Sequence, residues 1–113
     1  MSEENIELHS FEEFWPHYVR QHLHPVNRAL HFVGLTLAMR LALKAVQKRR
    51  LAPLLLAPVV GYGMSWVGHF FFERNRPASF SYPRWSFRAD FRMWNRMLQR
   101  KMGAELDRAA ANP

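Results

Sequence analysis

The sequence contains no cysteine. That excludes disulfides, thiolate metal sites and cysteine nucleophiles, and it says nothing firm about compartment. No glycine-rich phosphate loop, no Gly-x-Ser-x-Gly elbow and no His-Glu-x-x-His helix is present, so the chemistries those motifs carry have no support. Strand-like alternation, internal repeats and low-complexity tracts are missing too. Acidic residues are the minority: 16 Lys and Arg against 9 Asp and Glu leave a net charge of +7. Such an excess suits an anionic partner, whether nucleic acid, anionic lipid headgroups or an acidic small molecule. Between Leu51 and Phe72 charge vanishes altogether. That run is about as long as a bilayer span, which needs roughly 20 apolar residues. Met1 to Asn5 are acidic and polar, so no secretory signal peptide is expected.

At 113 residues the chain is expected to form one domain, 1–113, around a single modest core. About half of it is apolar, at 49%, with nine Phe and four Trp, which is too hydrophobic for disorder. A mean hydropathy of −0.30 argues against a protein built wholly of membrane spans. Six histidines are the main chemical clue, since neutral imidazole is the commonest metal ligand and base near neutral pH.

The periodicity predicts an all-α fold, a compact bundle of about four helices with a central hydrophobic hairpin, membrane-associated or membrane-inserted. Residues 1–9 read as a frayed tail. Ser10 with Glu13 three residues on makes a capping box for a first helix from Phe11 to about His22, with Pro16 expected to bend it or delay its start. A second helix runs from Pro25, with His24 as cap, to about Gln47. At ~100° per residue, Asn27, His31, Leu35, Ala38 and Ala42 share one side of it, opposite Arg40 and Lys44. A third helix is expected from near Pro58 to Glu73, with Tyr62, Ser65, Trp66, His69 and Glu73 on one face. The prolines of 74–86 predict a loop. A fourth helix, Phe87 to Leu106, carries Phe87, Phe91, Trp94 and Leu98 in one stripe and Arg88, Arg92, Arg96 and Arg100 in another. A basic amphipathic helix of this kind suits either a membrane surface or the solvated face of a bundle. Without a helix-turn-helix, zinc-finger or RNP pattern beside it, no nucleic acid is expected as partner. Asp107 to Pro113 are expected to fray.

Apart from His9, the histidines fall into two groups: His17, His22, His24 and His31 around the first two helices, and His69 on the third. An imidazole and a carboxylate on a greasy helix, His69 and Glu73, are costly unless something satisfies them. If the Pro25 turn packs against the Trp66–Glu73 face, several imidazoles and one carboxylate meet. All those ligands are N or O, which suits Fe(II), Mn(II) or Zn(II). A hydrogen-bonded core histidine or a Glu–Arg pair satisfies the same residues without metal.

The two-part pattern His22-x-x-Pro25-x-Asn27-x-x-x-His31-x-x-Gly34 and Gly68-His69-x-x-x-Glu73-x-x-Arg76-Pro77-Ala78 resembles the 2-hydroxy fatty acid dioxygenase family over about residues 11–80. The resemblance implies an Fe(II)-dependent enzyme of fatty acid α-oxidation, which shortens a 2-hydroxy fatty acid by one carbon using O2. Carried over, His22, His31 and His69 are the catalytic metal ligands, with Glu73 close behind. His17, His24 and Asn27 are held as outer partners of the ligands. Arg74, Arg76 and Tyr62 are assigned to the substrate. The apolar slot for the acyl chain is expected from Leu54 to Val60 and Phe70 to Phe72. The expected location is a membrane, as an integral hairpin or peripherally, on its cytoplasmic side, with membrane lipid as a partner. The alternative is a non-catalytic membrane-hairpin or lipid-surface module whose histidines are structural. A zinc hydrolase is the third reading.

Overall fold

In the computed structural model, which describes residues 8–111, Ser10 caps the first helix as the sequence requires. Its hydroxyl accepts the Glu13 N–H at 3.2 Å, and the Glu13 carboxylate reaches back to the His9 N–H at 2.8 Å. The residues assigned to a tail at 1–7 lie outside the described part, as do 112 and 113. The described elements are all helical: α1 (Phe11–Arg20), α2 (Pro25–Lys48), α3 (Leu51–Val67), a π-helical turn (Gly68–Glu73), a 3₁₀ turn (Ala78–Phe80), α4 (Pro83–Leu98) and α5 (Met102–Ala111). Pro16 lies inside α1 without delaying its start. His24 caps α2 by accepting the Val26 N–H on Nδ1 at 3.1 Å, and Pro25 takes the first turn, where no partner for its missing N–H is needed.

Four expectations are corrected. The third helix begins at Leu51, not near Pro58, because Pro53 sits in the first turn and Pro58 removes only one interior bond. The last helix begins at Pro83, where proline again serves as a helix opener. It ends at Leu98, and the chain turns at Arg100 with φ of 59°. A fifth helix then covers residues expected to fray, because Met102, Glu105 and Ala109 are buried. The overall shape is elongated, 47 × 29 × 28 Å, rather than a compact bundle.

The molecule has two unlike halves. In one, α1 buries Phe11, Phe14, Trp15, Tyr18 and Val19 against Ala89 and Met93 of α4 and Met102 and Ala109 of α5. Each such aromatic contributes about 2 kcal/mol or more by leaving water. Glu105 is buried there too, and it is satisfied by the Trp15 indole N–H at 2.8 Å and by Arg108 and Arg96 at 2.6 and 3.3 Å. Three arginines of the row pack on this half, although Arg88 and, beyond α4, Arg100 remain exposed. Arg88 and Arg92 lie over the Phe11 ring at 4.1 and 4.7 Å, and Arg96 pairs with Glu105.

The other half is the α2–α3 hairpin. Its legs meet closely at Gly34 and Gly61: a Cβ on Gly34 would lie 3.0 Å from Met64 Cβ and 3.3 Å from the Gly61 carbonyl. Pro25–Lys48 and Leu51–Glu73 are each long and apolar enough to cross a membrane, yet only 17% of each apolar window is buried. A helix in the core of a soluble protein would be mostly covered. Here Leu43, Val46, Leu51, Leu55, Val59 and Phe71 stand open. The hairpin's hydroxyls bond back to its own backbone, Thr36 to the Phe32 carbonyl at 2.8 Å and Ser65 to the Gly61 carbonyl at 2.9 Å.

Candidate metal centre

His22, His31 and His69 meet where the hairpin joins the aromatic half, and all three are buried. His22 follows α1, His31 sits two turns into α2, and His69 lies in the π-helical turn that closes α3. Their ring centroids are 4.5 to 4.8 Å apart and the ring planes cross at 80 to 87°. One nitrogen of each falls within 4.8 Å of the others.

The second nitrogen of each ring is spoken for. His22 Nδ1 lies 2.6 Å from the Tyr18 carbonyl oxygen, His31 Nδ1 2.8 Å from the Asn27 carbonyl oxygen, and His69 Nδ1 2.7 Å from Asn75 Oδ1. The Asn75 amide is oriented by its Nδ2, which donates to the Gln21 carbonyl at 2.9 Å. Carbonyl and amide oxygens only accept, so each Nδ1 must carry the proton and donate. In a neutral ring Nε2 then presents a lone pair. His22 Nε2 and His31 Nε2 are 3.2 Å apart, two lone pairs facing with no proton between them. Burial, together with the neighbouring His31 and His69, holds His22 well below the usual histidine range, so protonation is a poor remedy. A cation bound by the three Nε2 atoms removes the repulsion directly. The donor set therefore fits a divalent metal with three imidazoles and open positions.

Tyr18 holds His22 twice, through its carbonyl and through a ring stacked at 3.9 Å. The triad opens on a chamber of about 10 Å³, lined also by Tyr62, Ser65, Trp66, Ser86 and Asp90. From His31 an apolar groove of about 240 Å³ runs along α2 and α3 past Leu35, Ala38, Ala42, Ala57 and Gly61, with Phe87 and Phe91 of α4 as its side wall.

The predicted residues divide. The three histidines come together, and Tyr62 lines both chamber and groove. Glu73 does not join them: its Oε1 accepts the His24 backbone N–H. His69 and Glu73 lie in the same π-helical turn, but the carboxylate is taken by the backbone at the α1–α2 junction. Asn27 acts through its carbonyl, while its fully buried side chain packs on Gly68. His24 caps α2 and its ring meets Phe72 edge-on. His17 lies against Phe14 and Tyr82, in a recess it shares with Arg76. Arg76 lies over Phe80 at 5.3 Å, and Arg74 ends the π turn with φ of 59°. Neither arginine lines the chamber. The slot expected from Leu54–Val60 and Phe70–Phe72 is instead built mainly from the inner faces of both legs and α4. Asn75, Tyr18 and Asp90 escaped the sequence reading. Asn75 stands inside the second half of the motif, which was its only signal.

The fold and site define a helical protein with a triple-histidine centre able to hold a metal, set at the root of an apolar hairpin. A family model described as 2-hydroxy-palmitic acid dioxygenase Mpo1-like matches residues 8–102, and the chain belongs to that family. No curated protein and no solved structure matches it.

Proposed function

We propose that the protein is an Fe(II)-dependent dioxygenase that shortens a 2-hydroxy fatty acid by one carbon at a membrane. The observation that carries this is the arrangement of His22, His31 and His69: three Nδ1–H groups tied to oxygen acceptors and three Nε2 atoms left to converge. These residues would hold the ion, which when bound supplies oxygen activation and a chelation point for the acid's carboxylate and hydroxyl.

The protein's own residues do the remainder. Tyr18, Asn27 and Asn75 fix the ring tautomers, so each imidazole enters as a neutral donor. Three neutral ligands add no negative charge, and that favours an anionic chelating substrate. The groove that starts at His31 takes the alkyl tail. From His31 to Ala42 it follows 11 residues of helix, ~16 Å at 1.5 Å per residue. An extended alkyl chain advances ~1.25 Å per carbon from ordinary C–C geometry, so about 13 carbons lie along it. The exposed apolar legs support insertion of the hairpin in lipid, from which such a substrate would come.

The test is oxygen uptake by anaerobically purified protein given Fe(II) and 2-hydroxypalmitate. The expected result is iron-dependent uptake with release of a product one carbon shorter, lost in His69→Ala. Protein that binds no iron and consumes no oxygen would leave a non-catalytic hairpin. Bound zinc without oxygen uptake would favour a hydrolase.

A further inference from the structure

The groove is apolar except near its start. Asp90 of α4 lines both the groove and the triad chamber, so its carboxyl stands where the two join. It is the one acidic residue on either wall among the described residues. Among those residues its only hydrogen-bond partner is Tyr18, whose hydroxyl donates to Oδ1 at 2.5 Å. Tyr18 is fully buried and holds His22 by stacking and by its carbonyl. One residue therefore fixes both a triad imidazole and the Asp90 carboxyl. Oδ2 has no protein partner among the described residues. A carboxyl in an apolar wall is costly unless it meets a polar group, and an aliphatic side chain would serve the groove better.

The layout says which polar group. Resting on the 2-hydroxy acid reading above, the acid's C1 lies at the triad and its tail lies in the groove. The carbon between them is C2. We propose that Asp90 accepts a hydrogen bond from the 2-hydroxyl group, so that it selects 2-hydroxy acids over acids that lack the hydroxyl. A site that hydrogen-bonds a substrate hydroxyl rejects the analogue without it, because the site's own group is then left unpaired.

The test is equilibrium binding to the metal-free full chain in detergent, read by quenching of tryptophan fluorescence, since Trp66 lines the chamber. The probes are 2-hydroxypalmitate and palmitate. The wild type is expected to prefer the hydroxy acid about 10- to 100-fold, the range of one hydrogen bond to a charged group. Asp90→Leu, of similar size, is expected to bring the preference within about threefold by weakening the hydroxy acid alone. Asp90→Asn keeps an accepting oxygen and is expected to retain part of the preference. Should the leucine variant fail to fold, a drop of at least about threefold in Asp90→Asn still supports the role. An unchanged preference in the variants, equal weakening of both acids, or a wild type without preference overturns it. Oxygen uptake is scored separately, so a preference that depends on Asp90 in a protein without uptake would sink the enzyme reading and leave this one standing.

Discussion

Gly68 begins the π-helical turn, one residue before His69, and it has no room for a side chain. A Cβ built there falls 2.0 Å from Asn27 Oδ1, 3.0 Å from its Cγ and 3.1 Å from its Cα. A carbon needs about 3.3 Å from an oxygen, so Gly68→Ala is about 1.3 Å short. Asn27 cannot swing clear, because it is fully buried and its own Cα is also too near. The α2 backbone or the π turn must move. Overpacking of this kind costs about 1–3 kcal/mol, and the involvement of backbone places it near the upper end. For a chain of this length each kcal/mol lowers Tm by about 4 °C, so a loss on the order of 10 °C is expected. His69 is displaced as well, and affinity for Co(II) or Zn(II) is expected to fall at least about tenfold. The assay is a thermal melt in detergent micelles beside a metal titration. Asn27→Ala in the same background removes the colliding oxygen. It sacrifices no side-chain hydrogen bond among the described residues, since neither polar atom of that amide has a partner. The double variant should therefore recover a good part of the lost Tm. A Gly68→Ala protein that melts within about 2 °C of wild type and binds metal equally well would refute the reasoning.

Replacing His22, His31 or His69 by Ala should each abolish tight metal binding, whereas Glu73→Gln should leave the metal Kd within about threefold, because Glu73 meets the His24 backbone and not the triad. Equilibrium dialysis decides between them. Asn75→Leu removes the acceptor of His69 Nδ1 and should weaken metal binding about 10- to 100-fold while leaving three histidines in place; unchanged affinity would dismiss Asn75 as an orienting group. In the metal-free protein, stability should fall at both ends of the pH range. His22 is held low by burial, so its contribution is complete above the ordinary histidine pKa and is lost as pH falls below it. Asp90 is raised from 3.8 to about 7, so its contribution is complete below 3.8 and is lost as pH rises through about 7. The Tm advantage of Asp90→Asn over wild type should accordingly grow between pH 5 and pH 8, and a constant difference would count against this assignment. Ala42→Phe places a ring in the far part of the groove and should shift the preferred 2-hydroxy acid to shorter chains, read as kcat/KM across a length series.

Much of this could be read in advance wherever the determinants are local. Ser10 with Glu13, and His24 with Pro25, mark helix starts within a few residues of chain, and both starts fall as expected. His31, Leu35, Ala38 and Ala42 share a face by helical spacing alone, and that face lines the groove. The three histidines were legible through the two-part motif and the resemblance it carries, since spacing alone leaves His69 in a distant segment. The partner of Glu73 was not legible, because its carboxylate accepts a backbone N–H from His24, 49 positions away. Periodicity reveals the arginine stripe but not its partners; Phe11, Trp15 and Glu105 meet Arg88, Arg92 and Arg96 from elsewhere in the chain. Asp90 was invisible for the same reason. Its partner is 72 positions away, and it looks like any surface acid on an amphipathic helix.

The position of the triad follows from the division of the fold. The aromatic half is held by buried rings, while the hairpin exposes many Leu, Val and Phe side chains, with Arg40, Lys44 and Lys48 as the exposed charges of its first leg. A substrate with an anionic head and a long alkyl tail has the same division within one molecule. Its head belongs with fixed polar groups, and its tail belongs where apolar surface is continuous. Only the seam between the halves offers both within one chain length. There His22 comes from the end of α1 in the aromatic half, His31 and His69 come from the hairpin, and Asn75 ties the two by bonding His69 on one side and the Gln21 carbonyl on the other. Drawing ligands from both halves has a mechanical consequence. Any shift of the hairpin against α1 changes the distance between His22 and the other two imidazoles. Metal binding and docking of the hairpin are thereby coupled, and a metal bound at the triad should protect the α1–α2 junction and the π turn from hydrogen exchange together.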